Sequence, residues 1–354
     1  MRKFVISGGL GLLGARILRH IVSTRHGFVR VMVVDTADLD KAGSTANANL
    51  DPAGGDVKDD QLASAAGVSI VRGDFGCSDV AAAIKNFASG DDGGDHREPT
   101  SSSTLSIFHL ASVMSGQGEE DFGEALRVNI DGTRSLLETC RQIGGRPRFV
   151  FASSIAAFGG GEQASDETKL LPQTTYGMTK ACAELLINDC SRKGFVDGRI
   201  ARLPTVVVRP GPPNPAATGC FSSVPKAVLH GHHFVSPVSP DLRHPCIGLS
   251  SAVKGLIHVH DAPEANMGTR DRAITLPAVS ITLRDLEKSA AQLARELGKP
   301  PGTVSYHPDG AIEAVVKAMP SAVQASSRAA ELGLLADAGA YQLVEEFVKG
   351  GWLR

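Results

Sequence analysis

Aromatic side chains are scarce in this 354-residue chain: one Trp, three Tyr and 13 Phe, or 5% of the total. An excess of charge is also missing. The 36 Lys and Arg nearly balance the 38 Asp and Glu, for a formal charge of −2. That balance removes the electrostatic footprint of a nucleic-acid or anionic-membrane partner. Cysteine pairs are lacking too, because the six cysteines contain no C-x-x-C spacing. A zinc ribbon or disulfide framework is therefore excluded, and a reducing, cytoplasmic compartment is expected. No apolar run reaches the roughly 18 residues of a membrane-crossing helix. The N-terminal Met1-Arg-Lys with its apolar continuation imitates a secretory signal, but glycines break it and Arg16 and Arg19 close it without a cleavage site.

What is present is a globular composition, 42% hydrophobic, in a chain long enough for one large domain or two joined ones. Phe4–Ile6, Val29–Val34, Val68–Val71, Leu105–Leu110, Phe149–Ala152 and Ile200–Val208 read as short strands. Several are apolar on both faces, as a parallel sheet covered by helices requires. Helical spacing recurs after Leu12, over Asp79–Ala88, Phe122–Ile143 and Tyr176–Lys193, and later over Leu283–Leu297, Gly310–Lys317 and Ala340–Val348. The alternation predicts an α/β fold with a Rossmann-type, doubly wound parallel sheet. Two stretches near 36–67 and 89–104 have little to bury and read as surface inserts. The texture changes after Val208, where prolines cluster. We divide the chain into a dinucleotide-binding domain over 1–208 and a smaller substrate-binding region over 209–354, with the chain crossing back to the sheet.

The chemistry starts at Ser7-Gly-Gly-Leu-Gly-Leu-Leu-Gly14, a turn between a predicted strand and helix. Gly8 permits the tight turn, Gly11 lets a pyrophosphate approach the backbone, and Gly14 lets the helix pack on the strand. Asp35 closes the second strand about 20 residues on, where a carboxylate binds ribose hydroxyls and repels a 2′-phosphate. This favours NAD over NADP. Asp74 and Phe75 follow the third strand, where the Asp is either an adenine ligand or a turn cap. His109-Leu-Ala-Ser112 ends the fourth strand, placing Leu110, Ala111 and Ser112 beside the cofactor and His109 in a packed, hydrogen-bonded role. Asn129 lies in a predicted helix, as support for the cofactor site or as a buried brace.

Tyr176-Gly-Met-Thr-Lys180 places a phenol and an ammonium on one helical face. The lysine charge would favour the phenolate of Tyr176, which ordinarily forms near pH 10. Such a phenolate takes a proton from a substrate hydroxyl while hydride leaves the same carbon. Upstream, Ser153 and Ser154 end a strand, and Ser154 is the expected ligand of the substrate oxygen. His230-Gly-His-His233 suggests a metal, but adjacent His232 and His233 do not share one site on regular structure. No metal is expected.

Together the G-x-x-G-x-x-G turn, Asp35, the His-Leu-Ala stretch, Val128-Asn-x-x-Gly-Thr133, the serine pair and Y-x-x-x-K resemble the extended short-chain dehydrogenase/reductase (NAD-dependent epimerase/dehydratase) family. Arg202–Asn214, Ser236–Arg243 and Ser115-Gly116 with Glu120-Asp121-Phe122 are similar to its D-erythronate dehydrogenase subgroup. The resemblance implies NAD as cofactor, Tyr176 as base, Lys180 as its partner and ribose ligand, and Ser154 as hydroxyl ligand. It also implies cofactor positions at Gly11, Leu12, Leu13 and Asp35, and a homodimer. The implied reaction oxidises the C2 hydroxyl of a small sugar acid to the 2-keto acid. A carboxylate substrate calls for an arginine. Arg243 is the first candidate and Arg209 the second, with Asn214 and Ser115 available for hydroxyls. A nucleotide-sugar epimerase or dehydratase using the same Ser-Tyr-Lys set is the alternative. A bulky-carbonyl reductase would prefer NADP, which Asp35 opposes, and a non-catalytic NAD-binding scaffold would not need Tyr176.

Overall fold

The computed structural model describes residues 1–24, 29–36, 67–90, 105–211, 217–324 and 326–353. The two inserts fall almost wholly outside the described residues, and so does Asn214.

Strands β1 (Arg2–Ser7), β2 (Val29–Asp35), β3 (Val68–Arg72), β4 (Leu105–His109) and β5 (Arg148–Ser154) join Asp197–Leu203 and Ala273–Thr275 in one seven-stranded sheet. All its pairings are parallel, in the spatial order Ala273–Thr275, Asp197–Leu203, β5, β4, β1, β2, β3. The order reverses between β1 and β4. That switch point opens a crevice at the carboxyl ends of the strands, where folds of this kind bind ligands.

The doubly apolar strands explain the layers. On one face Phe4, Ile6, Val31, Val33, Phe108 and Val150 pack under helices Leu12–Thr24 and Leu249–Asp261. On the other, Val5, Met32, Val34, Ile107, Phe149 and Phe151 pack under Ser78–Ser89, Thr133–Ile143 and Thr175–Arg192. Period-two alternation thus feeds two separate cores. A third core gathers Phe221, Val224, Leu286, Leu293, Leu343 and Phe347 from the second half of the chain. There, a three-stranded sheet aligns Val279–Thr282, Arg243–Gly248 and Thr205–Val207.

The structure departs from the sequence expectations in three places. The strand expected over Ile200–Val208 is two strands, Asp197–Leu203 and Thr205–Val207, serving different sheets. Pro204 separates them, having no N–H to give a ladder. The helix expected over Phe122–Ile143 is interrupted by a π-helical turn at Arg127–Gly132. Helix Leu249–Asp261 was not anticipated, although Leu249, Ala252, Val253, Leu256 and Ile257 carry its spacing. It and Ala273–Thr275 bring the second half of the chain back to the main sheet. Gly161–Ala164 from the first half in turn pairs with Pro320–Val323.

Candidate active site

The glycine turn lies at the switch point. Gly8 has φ +72, and a Cβ there would lie 2.8 Å from the Ala111 backbone nitrogen on the neighbouring β4 connection. A Cβ on Gly14 would sit 2.3 Å from the Gly8 carbonyl oxygen, so only glycine lets the helix start against the turn. Gly11 differs. Its Cβ would meet only the Gly8 oxygen, at 3.2 Å, and otherwise project into open space. No acid occupies the first turn of helix Leu12–Thr24, so its N-terminal dipole is left for an anionic group. The cradle fits a pyrophosphate.

Two cavities flank this turn, and both are bordered by Gly8 and Ser112. One, of about 260 Å³, is lined by Asp35, Asp74, Phe75 and Ala111, with Glu124 and Arg127. Its residues could hold an adenosine. Asp35 Oδ2 accepts the Leu10 backbone N–H at 3.0 Å, tying the acid to the glycine turn. Asp74 Oδ1 accepts from Gly76 N at 2.8 Å and its Oδ2 pairs with Arg127, so the carboxylate serves as a turn cap and an ion-pair partner. With Asp35 in this wall, Asp35→Ala is expected to erode a preference for NADH over NADPH by about tenfold, one lost charge's worth. Fluorescence titration of the two nucleotides measures this, and an unchanged ratio would place ribose recognition elsewhere.

The other cavity, of about 270 Å³, opens between the glycine turn and the second half of the chain. Leu12, Leu13 and Leu110 line its cofactor side. Ser154, Tyr176 and Lys180 line its floor, and Ser115 and Arg209 its far side. Thr174 caps the Tyr–Lys helix by accepting from Gly177 N at 3.0 Å, which fixes the first turn carrying Tyr176. Ser154 stands near enough to the Tyr176 phenol to favour its ionised form, and its Oγ accepts from Ala156 N at 3.1 Å. Burial pushes the phenol above its usual range, against the pull of Ser154 and the Arg209 guanidinium. Lys180 is buried, donates to Ala152 O at 2.9 Å, and lies over the rings of Phe151 and Tyr176. Burial lowers its pKa to about 7, with Glu184 one turn on pulling it back up.

Arg209 takes the place expected of Arg243. Its Nε donates to Val206 O at 3.0 Å, and no carboxylate among the described residues forms a salt bridge with it. Arg243 is exposed at the start of the middle strand of the three-stranded sheet, reaches Ser280 O at 3.4 Å, and does not line the cavity. Of the two roles open to Asn129, support for the cofactor site or a buried brace, its hydrogen bonds are those of a brace. Its Oδ1 accepts from Val113 N at 2.8 Å and Ser112 Oγ at 3.1 Å, and its Nδ2 donates to Val113 O and Thr179 Oγ1. With both ends of the amide occupied, it braces the π-helical turn against the floor beneath the cofactor groove. Thr205, Thr218, Val315 and Met319 also line the cavity and were not anticipated. They come from three separate segments, Val315 and Met319 sharing one, whose convergence no local spacing records.

His109 is a second brace. Thr133 Oγ1 donates to Asn129 O at 2.7 Å, so it accepts from His109 Nε2, and Ser7 Oγ donates to Nδ1 at 2.6 Å. Burial and the nearby Lys180 lower this histidine's pKa to about 3, and burial with Arg209 lowers His244 to about 3. Both are depressed in the fold, so their contribution is whole above the unfolded value of about 6.5 and is lost as pH falls below it. Lowering the pH to 5 is expected to cost about 2 kcal/mol per histidine. Urea midpoints at pH 7.5, 6 and 5 check this, and a flat stability across that range contradicts it.

Among the described residues, no helix is long and apolar enough to cross a membrane, and no group of three or more His, Cys, Asp or Glu is placed to hold a metal. Fold and site define an NAD-dependent oxidoreductase. The chain belongs to the NAD-dependent epimerase/dehydratase family, whose profile matches residues 97–267. It is 37% identical to the D-erythronate dehydrogenase of Cupriavidus necator over 259 residues, 73% of this chain and 79% of that protein. With the D-erythronate dehydrogenase of Haemophilus influenzae it shares 37% identity over 248 residues, 70% of this chain and 78% of that one. A solved structure of a nucleoside-diphosphate-sugar epimerase from Agrobacterium tumefaciens matches with TM-score 0.79 and 29% identity, over 100% of this chain and 96% of that chain.

Proposed function

We propose that the protein oxidises the C2 hydroxyl of D-erythronate, or of a closely similar small sugar acid, to the 2-keto acid. The observation that carries this reading is Arg209: a guanidinium without a carboxylate partner among the described residues, in the same cavity as Ser154 and Tyr176. A carboxylate-bearing substrate supplies the missing anion, and its adjacent C2 hydroxyl then lies toward the serine and the phenol. The identity to two D-erythronate dehydrogenases supports the same substrate class.

NAD, when bound, accepts the hydride that leaves C2. The chain's own residues do the rest. Ser154 Oγ hydrogen-bonds the substrate oxygen and Tyr176 Oη takes its proton. Lys180 holds the nicotinamide ribose. Gly8, Gly11, Leu12, Leu13 and Gly14 cradle the pyrophosphate, and Asp35 reads the adenosine ribose. Phe75, Leu110, Ala111 and Ser112 form the groove walls, and Ser115 meets a substrate hydroxyl. Residues 1–208 supply the cofactor side, and residues 209–354 the substrate side with strand and helix returned to the sheet. The assembly proposed is a homodimer in the cytoplasm, which light scattering of the purified protein would check for its stoichiometry.

The direct test follows NADH absorbance while the protein meets a panel of three- and four-carbon sugar acids. Turnover confined to four-carbon acids with a C2 hydroxyl supports the reading, and silence across the panel removes it. A second reading, epimerisation of a nucleotide sugar, draws on the full-length match to the Agrobacterium structure, and the same panel includes UDP- and GDP-sugars. Because Arg209 pulls the phenol's pKa down, Arg209→Met should do two things. It should raise KM for the acid at least tenfold, and move the rising limb of the kcat/KM–pH profile to higher pH. A profile that stays in place would separate Arg209 from Tyr176.

A further inference from the structure

The adenosine cavity contains three carboxylates and, among the described residues, one cation in its wall: Asp35, Asp74, Glu124 and Arg127. Arg127 is not idle. Its Nε donates to Glu124 Oε2 at 2.8 Å and its Nη2 to Glu124 Oε1 at 2.7 Å, a two-pronged pairing, while Nη1 pairs with Asp74. The guanidinium is therefore held in a fork by one carboxylate and pinned by a second. Its side chain is 55% exposed, and ion pairs at that exposure contribute little to stability. The arrangement needs another explanation than holding the fold.

Position supplies one. Arg127 opens the π-helical turn that carries Asn129, and it lines the same cavity as Asp35. An arginine beside the adenosine ribose is the residue type that receives a 2′-phosphate in NADP-binding sites. Here two carboxylates compensate its charge, and a third stands at the ribose.

We infer that Arg127 is a determinant of dinucleotide choice: caged by Asp74 and Glu124, it is withheld from a 2′-phosphate, and the cage works with Asp35 to select NAD. Asp35→Ala removes the repulsion but leaves the arginine caged, so that change erodes the preference without reversing it. Freeing Arg127 requires opening the cage as well. Glu124→Gln removes the charge of the two-pronged side with a residue of the same size, leaving Arg127 held by its single pairing to Asp74, which keeps its own turn capped.

The experiment titrates NADH and NADPH into wild type, Asp35→Ala, Asp35→Ala/Glu124→Gln, and the double variant with Arg127→Gln, reading nucleotide fluorescence without substrate. The ratio of the two dissociation constants is the measured quantity. Adding Glu124→Gln should shift that ratio toward NADPH by about a further tenfold over Asp35→Ala alone. Adding Arg127→Gln should abolish the gain, and raising salt should shrink it because the site is exposed. A double variant no better for NADPH than Asp35→Ala overturns the inference. So does a gain that survives Arg127→Gln, since loss of negative charge alone would then explain it.

Discussion

Tyr176→Phe should cut turnover by about 10²- to 10⁴-fold, the usual worth of a positioned acid–base group, while NADH binding persists. The substitution deletes one oxygen from a partly buried side chain packed against the Ile155–Phe158 cluster and Met319, so the ring keeps its packing and the helix keeps its Thr174 cap. What disappears is the proton acceptor beside Ser154. Stopped-flow traces at saturating NAD and sugar acid measure the loss, and fluorescence titration checks the cofactor. If turnover stays within a few fold of wild type, the base is another group. Lys180 would then be the first to examine, because burial holds it near neutrality at about 7.

Arg202→Met should destabilise the fold by about 3–5 kcal/mol, the cost of stranding a buried charge. Arg202 and Glu184 are 2% and 1% exposed. Two nitrogens of the guanidinium contact both oxygens of Glu184 at 2.7 to 3.1 Å, and Ser153 Oγ donates to the same carboxylate. Asp271 adds a longer contact at 3.4 Å, and the guanidinium lies 4.9 Å from the Phe158 ring. Replacing the arginine keeps volume but leaves Glu184 with a hydroxyl as its remaining partner. The companion Arg202→Met/Glu184→Leu should recover most of the loss, since an apolar pair need not satisfy buried charge. Urea denaturation of both variants is the measurement. A single variant within 1 kcal/mol of wild type would show that the carboxylate is solvated or protonated at little cost.

Much of the cofactor half was legible from the chain. The glycine spacing, the acid closing β2 and the Tyr–Lys pair are local patterns, and local patterns survive without knowledge of long-range contacts. The strands of the sheet were legible for the same reason, because each is a short apolar run. The substrate half was not. Arg243 and Arg209 stand in equally suggestive stretches, and only the passage of the chain from one sheet to the other at Pro204 brings Arg209 to the cavity while Arg243 stays exposed outside it. Asn129 read equally as support for the cofactor site and as a buried brace, because helical spacing does not say what an amide meets. The π-helical turn aims its amide at Val113 and Thr179. Glu184 was visible one turn beyond Lys180, but nothing local shows that its charge is taken up by an arginine on a different element.

The sequence by itself therefore determined the parallel sheet, the dinucleotide turn, the acid that closes β2 and the Tyr–Lys pair. Each of these depends on residues within about one element of each other. The tertiary structure decided which cation reaches the phenol, which asparagine and histidine are braces, and which arginine in the adenosine wall is caged. Those outcomes depend on side chains separated by tens of residues, where burial and the partner that arrives across the fold, rather than residue type, set the charge and the role.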